Sequence, residues 1–226
     1  MLQPLSHLPA FSLVEPLLQA IVNQNMIIGA PPGAGKSTVL PLSLLNTHIK
    51  GKILLMQPRR VVVRNLAQYM AGVLGEQVGD TVGYRIRGEN KVSASTRLEI
   101  ITEGILSRMI QSDPELAGVA VIIFDEFHER SIHSDFGLAL ALEVQAGLRD
   151  DLRLMIMSAT LDTAPIASLL AKHSPVPTEQ LASEGRSFPV TVNYTKEVLA
   201  HEVIPHCVNV IMNALANHQG DILVFL

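Results

Sequence analysis

Two sets of residues in this 226-residue chain have the types and spacing for phosphoryl chemistry. The first is Ala30-Pro31-Pro32-Gly33-Ala34-Gly35-Lys36-Ser37, followed by Thr38, a glycine-rich loop closed by a lysine and a hydroxyl. It has the form of a P-loop phosphate cradle, with alanine where the pattern usually carries its first glycine. Pro31 and Pro32 lack a backbone N–H and fix φ, so they stiffen the entry to the loop. Gly33 and Gly35 permit the φ values that turn successive N–H groups, that of Ala34 among them, onto an anion. Lys36 would place a point charge on terminal phosphates, and the Ser37 hydroxyl is the natural first ligand of a Mg2+ bridging them. The second set is Asp125 and Glu126, which begin 89 residues after Lys36 in the run Phe124-Asp125-Glu126-Phe127-His128-Glu129-Arg130. Adjacent carboxylates at a strand end diverge and can take separate jobs. Asp125 can hold the metal, usually through water, while Glu126 orients or deprotonates an attacking water. His128 is either structural or, two residues past that base, a sensor of the site's state. Ser158 and Thr160, in Ser158-Ala159-Thr160, read on their own as helix-capping hydroxyls.

These residues need strand ends to hold them, and the surrounding sequence supplies those. Residues 25–29 look like a short buried strand before the loop and residues 37–45 a helical pattern after it, so the loop sits at a strand-to-helix turn whose unpaired N–H groups favour anions. An amphipathic helix is expected over 11–24, strands over 52–56, 81–87, 97–102 and 152–157, and helices over 61–74, 103–111, 135–148 and 163–172. Gly75 is expected to stop the helix over 61–74, and residues 88–95 read as a polar turn region. Residues 119–124 are apolar on both faces, as a central strand of a parallel sheet should be. Strands alternating with helices define an α/β fold, a parallel sheet with helices on both faces, and its ligands belong at the carboxyl ends of the strands.

Composition narrows the class. With 48% hydrophobic and 17% charged residues the chain is an ordinary globular protein, not a disordered one. A chain of this size hides about 70% of its unfolded surface. The single cysteine, Cys207, excludes an internal disulfide and any cysteine-rich zinc site. Residues 1–9 lack a positive region before an apolar run, and the longest apolar run that reads as one element is far too short to span a bilayer. A cytoplasmic location, with neither a membrane nor a disulfide partner, is expected. Net charge is −4, yet nine of the 17 basic residues lie between Lys50 and Arg97 against three acids. Such an excess is either a solvated face or a grip on a polyanion.

The pattern changes after Lys172. Residues 174–177 and 184–186 are loop-like, 189–194 resemble a strand, 198–217 a long helix and 222–226 an apolar strand on which the chain stops. An unpaired apolar edge is a hazard. The expectation is therefore a first domain over residues 1–180, then a linker and the truncated beginning of a second over 181–226.

The motifs named so far, taken with Gln57-Pro58-Arg59-Arg60, Thr102-Glu103-Gly104 and Gly185-Arg186-Ser187-Phe188-Pro189-Val190, occur in an order that resembles the first RecA-like domain of superfamily 2 DEAH/RHA helicases. The resemblance covers nearly the whole chain. It implies a RecA-like P-loop NTPase fold, the start of a second RecA-like domain, and an ATP-dependent RNA helicase or translocase using ATP and Mg2+. It also implies roles: Lys36 and Ser37 for phosphate and metal, Asp125 for metal, Glu126 for the hydrolytic water, and His128 with Ser158 and Thr160 for coupling. Arg59, Arg60, Thr102 and Gly104 would hold the RNA backbone, with Arg85 and Arg87 in the same basic segment. In that family an arginine on the helix after residue 60 stacks on the adenine; the aligned position here is Tyr69, with Arg64 five residues earlier. The family's arginine fingers come from the second RecA-like domain of the same polypeptide and are absent from this chain.

Three other readings stay open. A DNA translocase would use the same backbone grip. A P-loop kinase or transferase would need an arginine-bearing lid and an acceptor site, and leaves residues 57–60 and 158–160 without a purpose. A nucleotide-operated switch has no use for Glu126.

Overall fold

The apolar runs of the sequence become the centre of an eight-stranded sheet. The computed structural model describes residues 3–160, 163–184 and 189–225. The strands are β1 Asn25–Gly29, β2 Lys52–Gln57, β3 Val82–Ile86, β4 Glu89–Lys91, β5 Leu98–Thr102, β6 Val119–Phe124, β7 Arg153–Ser158 and β8 Thr178–Ala182. They lie in the order β4-β3-β5-β2-β6-β7-β1-β8. All pairs are parallel except β3 with β4.

Parallel strands need crossovers, and the helices supply them. They are α1 Val14–Ala20, α2 Lys36–Leu44, α3 Arg60–Leu74, α4 Glu103–Ser112, α5 Ile132–Gly147 and α6 Ala164–His173. Alternate side chains of each strand feed opposite cores. Ile53 and Leu55 pack in one cluster with residues of α1, α2 and α3; Leu54 and Met56 pack in the other with residues of α4, α5 and α6. Because both faces are covered, β1 is buried at every position and β6 at all but Ala120.

The register lines up the strand ends. Gly29 of β1 pairs with Ser158 of β7, Met56 of β2 with Phe124 of β6, and Gln57 with Thr102 of β5. The loop, the acidic run and the hydroxyl pair therefore leave the same edge of the sheet, as the α/β rule requires.

Several elements differ from the sequence expectation. The helix expected over 11–24 is a 3-10 turn, Pro9–Leu13, followed by the seven-residue α1. Helix α5 starts three residues earlier than expected, at Ile132, because Ser131 caps it: the Ser134 N–H donates to Ser131 Oγ at 2.9 Å. The polar turn region contains β4, which closes a hairpin on β3. Strand β8 extends the sheet beyond the loop at residues 174–177.

The chain divides into two compact units, Met1–Arg186 and Ser187–Leu226. The second contains the 3-10 turn Ala200–Glu202 and helix α7 Val203–Asn217, which carries Cys207. The strands expected over 189–194 and 222–226 are not formed among the described residues there; a strand needs a neighbouring ladder to hold it. The motif at 185–190 begins outside the described residues. No helix among the described residues is long and apolar enough to cross a membrane.

Candidate active site

The loop after β1 has the backbone its glycines allow. Gly33 has φ +78° and Gly35 φ +86°, and Gly35 caps α2 in the left-handed conformation. Ala30 is not among the positive-φ residues, so alanine at the first glycine position carries no backbone strain. The loop is held from behind: Ala30 N–H donates to the Ser158 carbonyl at 3.1 Å, and Ala10 N–H to the Ala34 carbonyl at 2.9 Å. Leu8 packs so close to Gly35 that an added Cβ would lie 2.7 Å from Leu8 Cδ1. Thr38 Oγ1 donates back to the Gly35 carbonyl at 3.1 Å.

Loop residues Pro32, Gly33, Gly35, Lys36, Ser37 and Thr38 share an open pocket of about 360 Å³ with Glu126, Tyr69 and Leu8. Larger is the groove of about 530 Å³ between α5 and α6, but it is lined by residues such as Phe127, Leu138, Leu142 and Ile166 and by none of the loop. Size does not identify the site; the convergence of lysine, hydroxyl and carboxylates does.

Lys36 Nζ lies 3.2 Å from Glu126 Oε1, with the lysine side chain 5% exposed. The other oxygen, Glu126 Oε2, lies 3.5 Å from His128 Nε2. His128 Nδ1 accepts from the Ala159 N–H at 3.1 Å. In a neutral imidazole that acceptor forces the proton onto Nε2, so His128 can donate to Glu126. Ser158 Oγ and Thr160 Oγ1 are 2.9 Å apart, and the Thr160 N–H donates to Ser158 Oγ at 3.1 Å. A continuous chain of contacts thus runs from Lys36 through Glu126 and His128 to the end of β7.

Asp125 is buried at the end of β6, where its N–H donates to the Met56 carbonyl at 3.1 Å. Gln57 Nε2 donates to its Oδ2, and the Glu126 N–H to its Oδ1 at 2.9 Å. Burial pushes its carboxyl up to about 6; the Ser37 hydroxyl and Lys36 pull the other way, and the Glu126 charge adds to the rise. In the unfolded chain it ionises near 3.8. The folded state therefore holds an extra proton between those values. The stability this supplies is complete below pH 3.8 and lost as pH rises through about 6. Asp125→Asn is accordingly expected to stabilise the chain near neutral pH by roughly 1–3 kcal/mol, the gain vanishing by about pH 4. Thermal unfolding of both proteins across this range checks it; a gain independent of pH would contradict it.

The turn carrying these residues is strained. Glu126 (φ +52°) and Arg130 (φ +50°) are left-handed non-glycine residues on either side of the 3-10 turn Phe127–Glu129. Phe127 anchors it edge-on against Phe124, ring centres 6.3 Å apart, and Arg130 lies over the Phe127 ring and pairs with Asp135.

The basic segment separates into two kinds of residue. Arg59 and Arg60 are exposed at the N-terminus of α3, and Thr102 precedes α4 without a side-chain capping hydrogen bond, with Gly104 exposed in the first turn. Both helix N-termini face the same sheet edge and offer free N–H groups. Arg60 donates to the Arg87 carbonyl at 2.6 Å, and Arg87 itself is exposed on the β3–β4 turn. Arg85, by contrast, is engaged: its Nε donates at 2.6 Å to Glu99, which is fully buried and also pairs with Lys52. Burial raises the Glu99 carboxyl, but the hydrogen bonds and charges of Arg85 and Lys52 outweigh it and hold it below its ordinary value. Arg85→Ala is expected to destabilise the chain by about 2–3 kcal/mol, below the full penalty of a broken buried pair because Lys52 remains. Arg87→Ala should leave stability within about 0.5 kcal/mol. Chemical denaturation of the two variants separates these outcomes. Arg64 pairs with Glu89, which Tyr84 also hydrogen-bonds, so it is tied to the hairpin; Tyr69 lines the loop pocket.

Three residues with no role in the sequence reading belong to this region: Leu8 behind the loop, Gln57 on Asp125, and Glu129, which pairs with Arg59. Gln57 was signalled by its place at a strand end; Leu8 and Glu129 had no local signal.

A parallel sheet with a glycine-rich loop after one strand and an acidic pair after another, two strands away, is the architecture of a P-loop nucleotide-binding domain. The family model for DEAD/DEAH box helicases matches residues 14–169, and the chain belongs to that family. Among its relatives, ATP-dependent RNA helicase HrpB of Escherichia coli K12 is 50% identical over 225 residues, 98% of this chain and 27% of that protein. ATP-dependent RNA helicase HrpA of Borreliella burgdorferi is 34% identical over 97% of this chain and 27% of that protein. The crystal structure of E. coli DEAH/RHA helicase HrpB superposes with a TM-score of 0.85 at 49% identity, covering 95% of this chain and 27% of that one. A second, of the E. coli DExH-box NTPase HrpB, gives 0.79. The fold is thus the RecA-like helicase domain, and the chain spans about a quarter of the length of the curated relatives it matches.

Proposed function

We propose that this chain is the first RecA-like domain of an ATP-dependent RNA helicase, its sheet closed by β8, followed from about residue 187 by a linker and the start of a second. It supplies the ATP- and Mg2+-binding half of a hydrolytic site and part of the RNA backbone grip, in a cytoplasmic protein. The observation that carries the reading is the contact chain Lys36–Glu126–His128–Ala159, which joins the phosphate loop, the acidic run and the end of β7.

The donors fit the cofactors. Gly33, Gly35 and the N-terminus of α2 aim N–H groups at a phosphate, and Lys36 adds charge. The buried Asp125 carboxyl beside the Ser37 hydroxyl makes a hard-oxygen pair of the kind Mg2+ takes, and a cation there removes the cost of ionising Asp125. When bound, the metal neutralises charge developing on the phosphates. Glu126 positions and deprotonates the water, and His128 holds the Glu126 carboxylate through Nε2 and reports its position to Ser158 and Thr160. Tyr69 flanks the nucleotide from α3, and Arg64 keeps α3 fixed to the β3–β4 hairpin. Arg59, Arg60, Thr102, Gly104 and Arg87 hold successive phosphates; Arg85 supports them from beneath by neutralising Glu99.

The test is ATP hydrolysis by the full-length protein with and without single-stranded RNA. Turnover should rise with RNA and fall as salt rises. Stimulation by DNA alone would replace RNA with DNA as the polymer, and stimulation by neither would end the helicase reading.

A further inference from the structure

Arg59 Nη2 lies 2.9 Å from Glu129 Oε1, joining the start of α3 to the far end of the acidic turn, 70 residues along the chain. The pair borders a cleft of about 230 Å³ that reaches Ser37 and Glu126, so it is continuous with the loop and carboxylate site. Glu129 is also tied to Glu126 directly: its N–H donates to the Glu126 carbonyl at 2.9 Å. Between the two lies a single 3-10 turn bracketed by the strained residues Glu126 and Arg130. A turn of this kind keeps its shape only while its surroundings hold it. Besides the buried Phe127 ring, the polar holds here are Lys36 on Glu126, the Ala159 N–H on His128, Asp135 on Arg130, and Arg59 on Glu129.

Of these, the Arg59 contact is the easiest to take away. Its side chain is 69% exposed and that of Glu129 37%, and a single hydrogen bond joins them, whereas the comparably exposed Arg130 grips Asp135 with two. An exposed ion pair is weak and screened by salt. A phosphodiester competes for the same guanidinium with comparable geometry, and Arg59 belongs to the proposed RNA grip. Resting on that functional reading, we propose that Glu129 is a positioning residue: paired with Arg59 it holds the acidic turn in its resting shape, and a phosphate of bound RNA takes Arg59 over and releases the turn. Release lets the backbone carrying Glu126 shift, so that the carboxylate oxygen resting on Lys36 moves onto the water while His128 Nε2 keeps the other. Polymer binding is thereby read out at the hydrolytic carboxylate without a contact between them.

The experiment measures ATP turnover of the full-length protein against concentration of a single-stranded oligouridylate, for the unsubstituted protein, Glu129→Gln and Arg59→Ala. Glu129→Gln should raise the RNA-free rate about two- to fivefold, the range an exposed ion pair commands, and leave the RNA-saturated rate in place. It should also lower the half-saturating RNA concentration by a similar factor, because Arg59 no longer has a competitor. Arg59→Ala should raise the RNA-free rate too but increase the half-saturating concentration. A merely structural role cannot produce opposite shifts in RNA requirement alongside parallel rises in basal rate. An unchanged RNA-free rate or an unchanged RNA requirement in Glu129→Gln overturns the proposal while RNA stimulation of the unsubstituted protein persists. Loss of that stimulation itself removes the helicase reading and this inference with it.

Discussion

Glu126→Gln in the full-length protein is expected to cut ATP turnover by about 10²- to 10⁴-fold, the contribution of a positioned general base, while nucleotide binding persists. The substitution preserves size, and glutamine enters the left-handed conformation at φ +52° no less readily than glutamate. A glutamine oxygen still accepts from His128 Nε2, so the turn keeps its shape. What disappears is the negative charge: the carboxylate facing Lys36 at 3.2 Å and the basicity the water requires. Steady-state hydrolysis together with fluorescent-nucleotide binding separates the two effects. A loss below about tenfold would move the base elsewhere.

Gly35→Ala should act on the loop itself. The residue has φ +86°, where an L side chain costs about 1–2 kcal/mol. The new Cβ would lie 2.7 Å from Leu8 Cδ1 and 3.0 Å from Leu8 Cβ. The second contact matters more, since Leu8 Cβ cannot swing away without moving the backbone that precedes the 3-10 turn Pro9–Leu13. Strain and overpacking together give an expected loss of about 2–4 kcal/mol in stability. Nucleotide affinity should fall further, because Ala10 and Ala34 are hydrogen-bonded across the displaced region. Gly33→Ala meets no atom within 4 Å and should cost only the backbone strain. Equal effects of the two substitutions on stability would contradict this account of Leu8.

The parts of the fold legible from sequence were those whose pattern is imposed locally. β6 was readable to the residue because it is an uninterrupted apolar run, and β1 because Met26, Ile27 and Ile28 lie between Asn25 and the glycine that opens the loop; both are buried on both faces. β8 was not: Thr178–Ala182 is polar and half-exposed at the sheet edge, and its extended form comes from pairing with β1. The same logic, reversed, explains residues 189–194, whose strand-like composition forms no strand. At the candidate site, the order of motifs singled out the glycine-rich loop and the acidic pair, which the fold brings together at one sheet edge with Lys36 beside Glu126. Distribution of charge was a poorer guide. Arg85 and Arg87 look alike in sequence, yet one neutralises the buried Glu99 and the other is exposed on a turn. Arg59–Glu129 could not be read at all, since nothing local joins residues so far apart.

In the proposed function this chain holds the nucleotide by itself, with Lys36 and a metal on Asp125 and Ser37 doing the holding. The most direct measurement is a titration of the 226-residue chain with a fluorescent ATP analogue, with and without Mg2+, beside Lys36→Ala. Saturable binding that strengthens with Mg2+ and is lost in Lys36→Ala, with little turnover from the chain alone, is the predicted result. Binding that ignores both Mg2+ and Lys36, or turnover equal to that of the full-length protein, would contradict it.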